Sequence, residues 1–500
     1  VKYYKGLGTS TSSDAKKYFK DIDRHIIQLE DDVDRPESLD LAFSKKRAQD
    51  RRDWIRAHDG SGRGYDAGIT ISKFVHADLV NFSVADVRRS IPDVVDGLKP
   101  SQRKVLFAAF KRKLTSDIKV AQLTGYISEV AAYHHGEASL QSTIISLARD
   151  YVGSNNINFL VPSGQFGSRL GGGADHASAR YIFTRLAQTT RAIFPERDDA
   201  ILNYIEDDGQ RVEPDRYVPI IPVVLVNGCT GIGTGFSTSV PCFDVRDVIS
   251  AVRARIRGER VPELIPSYRG FFGSVDACDG GYTTRGIFTV GGRAGTCVSI
   301  TELPIGTWTS PYVEWLESQS FASRVIDEST ETSVQITFTT SDKTVVTHDG
   351  LKLETKISTT NMTLFDADGS IKKFSNVAEI IESHYRVRYA SYARRKAHEL
   401  AGLAEKINVE SNRARFVRCV VDGTLIIANR PVLEIERDMN ALGIECDPGL
   451  LRMQIRSLTR EKVDELVQLV ESLRETRATF ESISIETMWE NELLALENHL

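Results

Sequence analysis

Hydrophobic and polar positions change their rhythm several times along the 500-residue chain. Residues 11–58 mix charged and apolar positions in a way that predicts helix. Within them, Leu39 to Ser44 leads into the basic run Lys45-Lys-Arg-Ala-Gln-Asp-Arg-Arg52, whose plain reading is a solvated face. The polar, glycine-rich run Asp59-Gly-Ser-Gly-Arg-Gly64 predicts a linker. From residue 72 to 152 the apolar spacing is mostly helical, as in Ser142-Thr-Ile-Ile-Ser-Leu-Ala-Arg-Asp-Tyr-Val152, and Pro92, Gly97 and Pro100 punctuate it. Beyond residue 240, β-branched runs take over at Ile287–Val290, Gly295–Thr301 and Ser333–Thr340; the last two alternate with period two and predict strands. Residues 376–408 and 459–499 return to helical spacing, the second with Val463, Leu466, Val467, Val470 and Leu473 on one stripe that Phe480 continues. About forty residues of helix reach ~60 Å at roughly 1.5 Å each. Two such helices around a compact segment, 410–458, predict a long antiparallel hairpin that self-associates.

Composition narrows this picture. The length suggests roughly three or four domains, and 41% hydrophobic with 26% charged residues supplies ordinary globular cores. Lys and Arg number 63 against 68 Asp and Glu, a net charge of -5, so any surface for a polyanion must be a local patch. The six cysteines form no CxxC pair, which reads as reduced thiols in a non-secretory compartment. No apolar run approaches the ~20 residues of a membrane-spanning helix. The first residue is Val1 rather than methionine, so the chain is expected to open inside a longer protein.

Candidate chemistry concentrates at Gly171-Gly-Gly-Ala-Asp-His-Ala-Ser-Ala-Arg180-Tyr181-Ile-Phe-Thr184. A glycine-rich loop lets backbone approach a bulky ligand, and a guanidinium beside a phenol can hold a phosphate oxygen bidentately. A half-buried core tyrosine is the plain alternative. Lys99, Arg103 and Lys104 surround Pro100 at a turn entering a helix, a natural phosphate site or a basic solvent-facing helix start. His134 and His135 are adjacent and point apart, which disfavours joint metal ligation. Gly164-Gln-Phe-Gly167, with Ser168 and Arg169, is an ordinary glycine turn or a loop whose own backbone could approach a bulky ligand. No Asp-x-Asp-x-Asp run occurs, and Asp198–Asp199 and Asp207–Asp208 read as surface or capping pairs. No nucleotide-binding loop motif is present either.

Six motifs occur in order: Val1-Lys-Tyr-Tyr-Lys-Gly-Leu-Gly-Thr-Ser10, Arg89-Ser-Ile-Pro-Asp-Val-Val-Asp-Gly-Leu-Lys-Pro-Ser-Gln-Arg-Lys-Val-Leu106, Tyr133-His-His-Gly-Glu137, Gly164-Gln-Phe-Gly167, Ala179-Arg-Tyr-Ile-Phe-Thr184 and Gly231-Ile-Gly-Thr-Gly235. Together they resemble the breakage-reunion region of type IIA DNA topoisomerases of the eukaryotic and large-DNA-virus kind. The resemblance runs the whole length, densest to residue 240. It implies an α+β multidomain fold: the C-terminal tail of a TOPRIM domain (1–50), a linker (51–85), a winged-helix domain with the catalytic tyrosine (86–240), a β-rich tower domain (241–372), and a long antiparallel coiled coil with a dimerisation gate (373–500).

The resemblance further implies Tyr181 as nucleophile, taking a 5′ phosphate of double-stranded DNA. Arg180 and Arg103 would be phosphate clamps and His135 a transition-state hydrogen-bond donor. Lys5, Arg89, Lys99, Lys104, Lys119, Gln122 and Gln165 would contact DNA, and Ile232 would intercalate. A homodimer follows, with one tyrosine per strand. Mg²⁺ held by TOPRIM carboxylates and ATP held by an N-terminal module are expected outside these residues. The expected location is the nucleus or a viral replication compartment. Two positions depart from the family pattern, Ala179 for proline and Phe236 for tryptophan, and neither removes a functional group. A catalytically silent DNA-binding scaffold of the same fold is the alternative. A bacterial, gyrase-like arrangement is weaker, because the TOPRIM tail precedes the winged helix on one chain.

Overall fold

The computed structural model describes residues 11–58, 68–207, 209–292, 296–447 and 449–500. Lys5 and the first motif lie outside them, as do Asp59–Gly64, Asp208 and Gly295. The chain divides into two compact units, one within Val1–Glu196, Leu202–Arg388 and Ala495–Leu500, the other comprising Arg197–Ile201 and Tyr389–Leu494.

The first unit begins with short capped helices. Thr11 and Asp14 cap Ser12–Lys20 reciprocally, and Arg35–Phe43 and Ala48–Ala57 follow. Where a linker was expected, Ile71–Phe74, a π turn at Val75–Leu79 and Val80–Ser90 follow one another as helix. Buried Val75, Val80 and Val87 give this stretch an apolar face that a linker would lack. Next come Pro100–Lys111, Val120–Val130 and Glu137–Ala148, the first with proline in its opening turn and Gln102 Oε1 accepting the Lys99 N–H at 2.9 Å. They pack on an aromatic cluster in which Phe194 meets Phe110, Phe159 and Tyr217 edge-on or tilted at 5.4–6.2 Å.

Later in this unit the chain turns to sheet. A four-stranded antiparallel sheet runs in the order Ile287–Gly291, Cys297–Glu302, Ile336–Thr340, Ala322–Asp327. Val298, Ile300, Ile336 and Phe338 alternate inward onto Tyr312 and Leu316 of the helix Thr309–Glu317, the period-two pattern read from sequence. A three-stranded sheet orders Glu354–Ser358, Gly281–Arg285 and Ser274–Cys278.

In the second unit, the residues from Tyr389 onward of the 45-residue helix Val377–Val421 lie against Arg460–Ser482 and Ile485–Glu497. Tyr389 donates to Glu486 and Lys396 to the Glu481 carbonyl, while Phe416 and Val417 share a core with Val463 and Leu466. Contacts in reversed order mean the helices run antiparallel. The second helix is not continuous. The Ser484 hydroxyl accepts the Thr487 N–H at 3.1 Å, capping a new helix after extended Ile483. Val463, Leu466 and Val470 are buried, whereas Val467 faces out. Asp198, read as a surface or capping residue, is buried instead, because Arg395 pairs with it at 3.3 Å and with Glu492 at 2.5 Å.

His384, in the first unit, is fully buried and donates from Nε2 to the Pro219 carbonyl at 2.9 Å. Burial draws its pKa down to about 3, so the unfolded chain takes up the proton first. Its contribution is therefore complete above about pH 6.5 and falls by ~1.4 kcal/mol per pH unit on acidification. Urea unfolding at about pH 7 and about pH 5 should show a larger loss in this chain than in His384→Gln. Equal losses would contradict the assignment.

Candidate functional site

The turn after Val80–Ser90 is built on one carboxylate. Asp96 Oδ1 accepts from Leu98 N at 2.9 Å and Arg103 Nη2 at 3.1 Å, and Oδ2 accepts from Arg103 Nε at 2.8 Å and Tyr217 N at 3.0 Å. Gly97 adopts φ +65°, and a Cβ there would lie 2.6 Å from Val224 N. Lys99 then opens the helix Pro100–Lys111, and Arg103 folds back from its first turn.

Arg103 is only 7% exposed. Burial works against its charge, but the Asp96 carboxylate outweighs that and holds the guanidinium firmly protonated. Its fork is committed to Asp96 and the Leu98 carbonyl, so the expected phosphate contact from Arg103 does not fit this placement. Lys104 likewise donates to the Ala131 carbonyl and Glu213, at 2.6 and 2.8 Å, inside the protein. The sequence sets these cations side by side but carries no sign of which ones Asp96 and Glu213 claim.

Arg89 is different. It is exposed at the end of its helix, and its Nε and Nη2 bond Asp86 at 2.9 and 2.6 Å. Asp86 also accepts from Thr234 N and Oγ1, at 2.8 and 2.9 Å. Burial pushes that carboxyl up, but the Thr234 and Arg89 hydrogen bonds prevail and hold it below its ordinary value. Asp86 thereby ties Arg89 to the hairpin of Cys229–Gly233 and Phe236–Val240. Gly231 lets the hairpin press on the helix end, since a Cβ there would sit 2.2 Å from the Ser90 carbonyl oxygen. Lys99 Nζ donates to the Thr230 carbonyl at 2.9 Å. At the tip, Ile232 is 86% exposed, an aliphatic side chain held out from a braced hairpin. Phe236, buried below, has Arg52 and Arg56 over its ring at 5.9 and 5.5 Å.

Tyr181 sits on a turn closed by its own N–H on the Ser178 carbonyl, with 66% of its surface exposed. The Arg180 guanidinium carbon lies 5.0 Å from the centre of the phenol ring. Immediately after it, Phe183–Thr184 pairs with Ile118–Lys119, and Ala121 N donates to the Ala179 carbonyl. This brings exposed Lys119 and Gln122 to the tyrosine's segment. The Gln165 carbonyl accepts from Ala177 N at 2.9 Å, and its side chain donates to Glu331 at 2.8 Å. The preceding loop is pinned by Asp175, which accepts from Ser168 N and Oγ, and by a buried ion pair between Arg169 and Glu302. His135 is exposed beside Tyr133, with ring centroids 5.4 Å apart, in the loop that Lys104 holds at Ala131. His134 lies 3.3 Å from Asp207, and His176 Nδ1 is 2.9 Å from the Ala177 carbonyl. Among the described residues, no group of three or more His, Cys, Asp or Glu could hold a metal ion.

The family of the A subunits of DNA gyrase/topoisomerase IV matches residues 89–494, and the C-terminal associated domain of TOPRIM matches residues 1–87. DNA topoisomerase 2 of Arabidopsis thaliana is 39% identical over all of this chain, which spans 38% of that protein. Mitochondrial DNA topoisomerase 2 of Dictyostelium discoideum is 38% identical over all of this chain, which spans 41% of it. The solved DNA-binding, cleavage and re-ligation domain of Plasmodium falciparum topoisomerase II superposes with a TM-score of 0.85 at 37% identity, covering all of this chain and 74% of that one.

The two arginines should separate on substitution. Arg103→Gln strands the buried Asp96 carboxylate and should cost about 3–5 kcal/mol, seen as a lower unfolding midpoint. Arg89→Gln should stay within about 1 kcal/mol. Equal destabilisation would contradict these placements.

Proposed function

Because the chain belongs to the type IIA DNA topoisomerases, through the family of gyrase and topoisomerase IV A subunits, we propose that it is the breakage-reunion part of an ATP-dependent type II enzyme. Such an enzyme relaxes and decatenates double-stranded DNA through transient double-strand breaks. The observation that carries this reading is Tyr181: an exposed phenol on a fixed turn, with a guanidinium against its ring.

The Tyr181 oxygen attacks the scissile phosphorus as its proton passes to solvent. The bond from phosphorus to the 3′ oxygen breaks, and that oxygen leaves as a 3′-hydroxyl after taking a proton. A 5′-phosphotyrosyl link remains, and attack by the same hydroxyl reverses every bond change, so the strand reseals without outside energy. Arg180 holds a phosphate oxygen, and His135 donates to the charge that develops there. Arg89, exposed where Arg103 is buried, takes the phosphate role, and Arg103 positions the turn through Asp96. Lys99, Lys119, Gln122 and Gln165 contact the duplex, while Lys104 steadies the histidine loop. Ile232 wedges between base pairs and bends the DNA, unstacking that costs a few kcal/mol and is offset by wider contact.

We read residues 86–240 as the winged-helix domain, 241–372 as the tower and 373–500 as coiled coil and dimer gate. The homodimer sets one tyrosine on each strand. Mg²⁺ and ATP fit the family in general, and we assign both to parts of the relatives beyond the 38–41% that this chain spans. A nuclear location is the reading we favour.

A duplex with sulfur in place of one bridging 3′ oxygen tests the chemistry, because a thiolate leaves readily and reseals poorly. With the metal-binding part of the longer protein and Mg²⁺ supplied, the unsubstituted protein should carry covalently bound DNA after denaturation and Tyr181→Phe should carry none. Adducts that persist in Tyr181→Phe would move the nucleophile. No adduct from either chain, with the duplex bound, would favour a silent scaffold. Ile232→Ala should leave the duplex straighter by end-to-end fluorescence transfer; an unchanged bend would remove the wedge role.

A further inference from the structure

Beneath the Lys99 turn, a polar cavity of about 380 Å³ opens between that turn, the segment Arg149–Asn155 and Trp308. It is large enough for a small ligand, at the lower end of the ~300–1,000 Å³ usual for such sites. Two cations, Lys99 and Arg149, line it with the Tyr151 hydroxyl and the Gln102 amide. None of the described lining residues is acidic.

Arg149 caps the C-terminal end of Glu137–Ala148. Its Nη2 donates to the Gly173 carbonyl at 2.8 Å, while its buried Nε meets no acceptor among the described residues. Lys99 Nζ donates to a carbonyl rather than a carboxylate, and burial draws its pKa below the ordinary value. Asp175 is the acid that Arg149 and Tyr151 feel, and it is taken up by Ser168 N and Oγ. The cavity also opens on the start of Pro100–Lys111, whose dipole adds positive potential. Trp308 makes a rigid wall, with Gly172 packed so closely that a Cβ would lie 2.3 Å from its Nε1. Two partly desolvated cations with a donor hydroxyl, and no carboxylate among the described lining residues, constitute a site for an anion with several acceptor oxygens.

We propose that this cavity is a phosphate-binding pocket in which Lys99, Arg149 and Tyr151 grip one phosphate group, carried either by the DNA backbone or by a free phosphorylated anion. The pocket stands apart from the cleavage chemistry; only its DNA-backbone form rests on the DNA-binding reading above.

Titration of this chain with inorganic pyrophosphate at constant ionic strength tests it without DNA. Saturable binding is expected. Arg149→Gln should weaken it about tenfold or more, Tyr151→Phe by a few-fold, and Arg149→Lys less than Arg149→Gln. Tyr151→Phe keeps the shape of the site and covers the case in which Arg149→Gln disturbs the Gly173 loop. No saturable binding, or binding indifferent to both Arg149→Gln and Tyr151→Phe, overturns the pocket. A short duplex then distinguishes the sources. A backbone phosphate predicts competition with pyrophosphate and a salt slope smaller by about one in Arg149→Gln. A free anion predicts neither. Because the pyrophosphate arm needs no DNA, its failure and a missing Tyr181 adduct are separate results.

Discussion

The fully buried Asp96 carboxylate is the fixed point of the surface that carries Arg89, Lys99 and Ile232. Its oxygens accept from two backbone N–H groups and from both arms of the Arg103 fork. A buried carboxylate is tolerated only when its lone pairs are met this fully. Everything nearby inherits its position from this arrangement. Arg89 ends the helix before the turn and Lys99 opens the helix after it. The hairpin that carries Ile232 rests on Ser90, Asp86 and Lys99. The exposed groups can be chemically active because buried ones have taken over the structural work.

The same division is compatible with a surface for a polyanion on a chain of net charge -5. Cations that look alike in sequence separate into internal ties, such as Arg103, Lys104 and Arg169, and groups left at the surface, such as Arg89 and Lys119. A local cluster of the second kind is sufficient, since only charges within about 10 Å of a phosphate matter at ordinary salt.

Much of the architecture was legible. The strands Cys297–Glu302 and Ile336–Thr340 fall in the two period-two runs, and the antiparallel long helices appear where helical spacing put them. Tyr181 after Arg180 and Ile232 between glycines both prove exposed, which spacing alone did not settle. What escaped depends on burial and on specific partners that spacing does not reveal. Arg103 and Asp96 are seven residues apart, yet nothing local says their pairing is buried. Asp198 meets Arg395 from nearly two hundred positions away. The break at Ile483 turns on Ser484 capping a helix that periodicity alone continues through. The resemblance put a linker at 51–85, whereas the apolar spacing from residue 72 predicted helix, and residues 71–90 are helical with Val75, Val80 and Val87 buried.

The account centres on Tyr181 as the atom that exchanges bonds with DNA, and locating the link itself tests this most directly. The adduct formed on the sulfur-bridged duplex would be trimmed with nuclease, digested with protease and sequenced by mass spectrometry. The account predicts a nucleotide attached through phosphate to Tyr181, on its 5′ side. A nucleotide on any other residue, or a 3′-phosphate link at Tyr181, would contradict it.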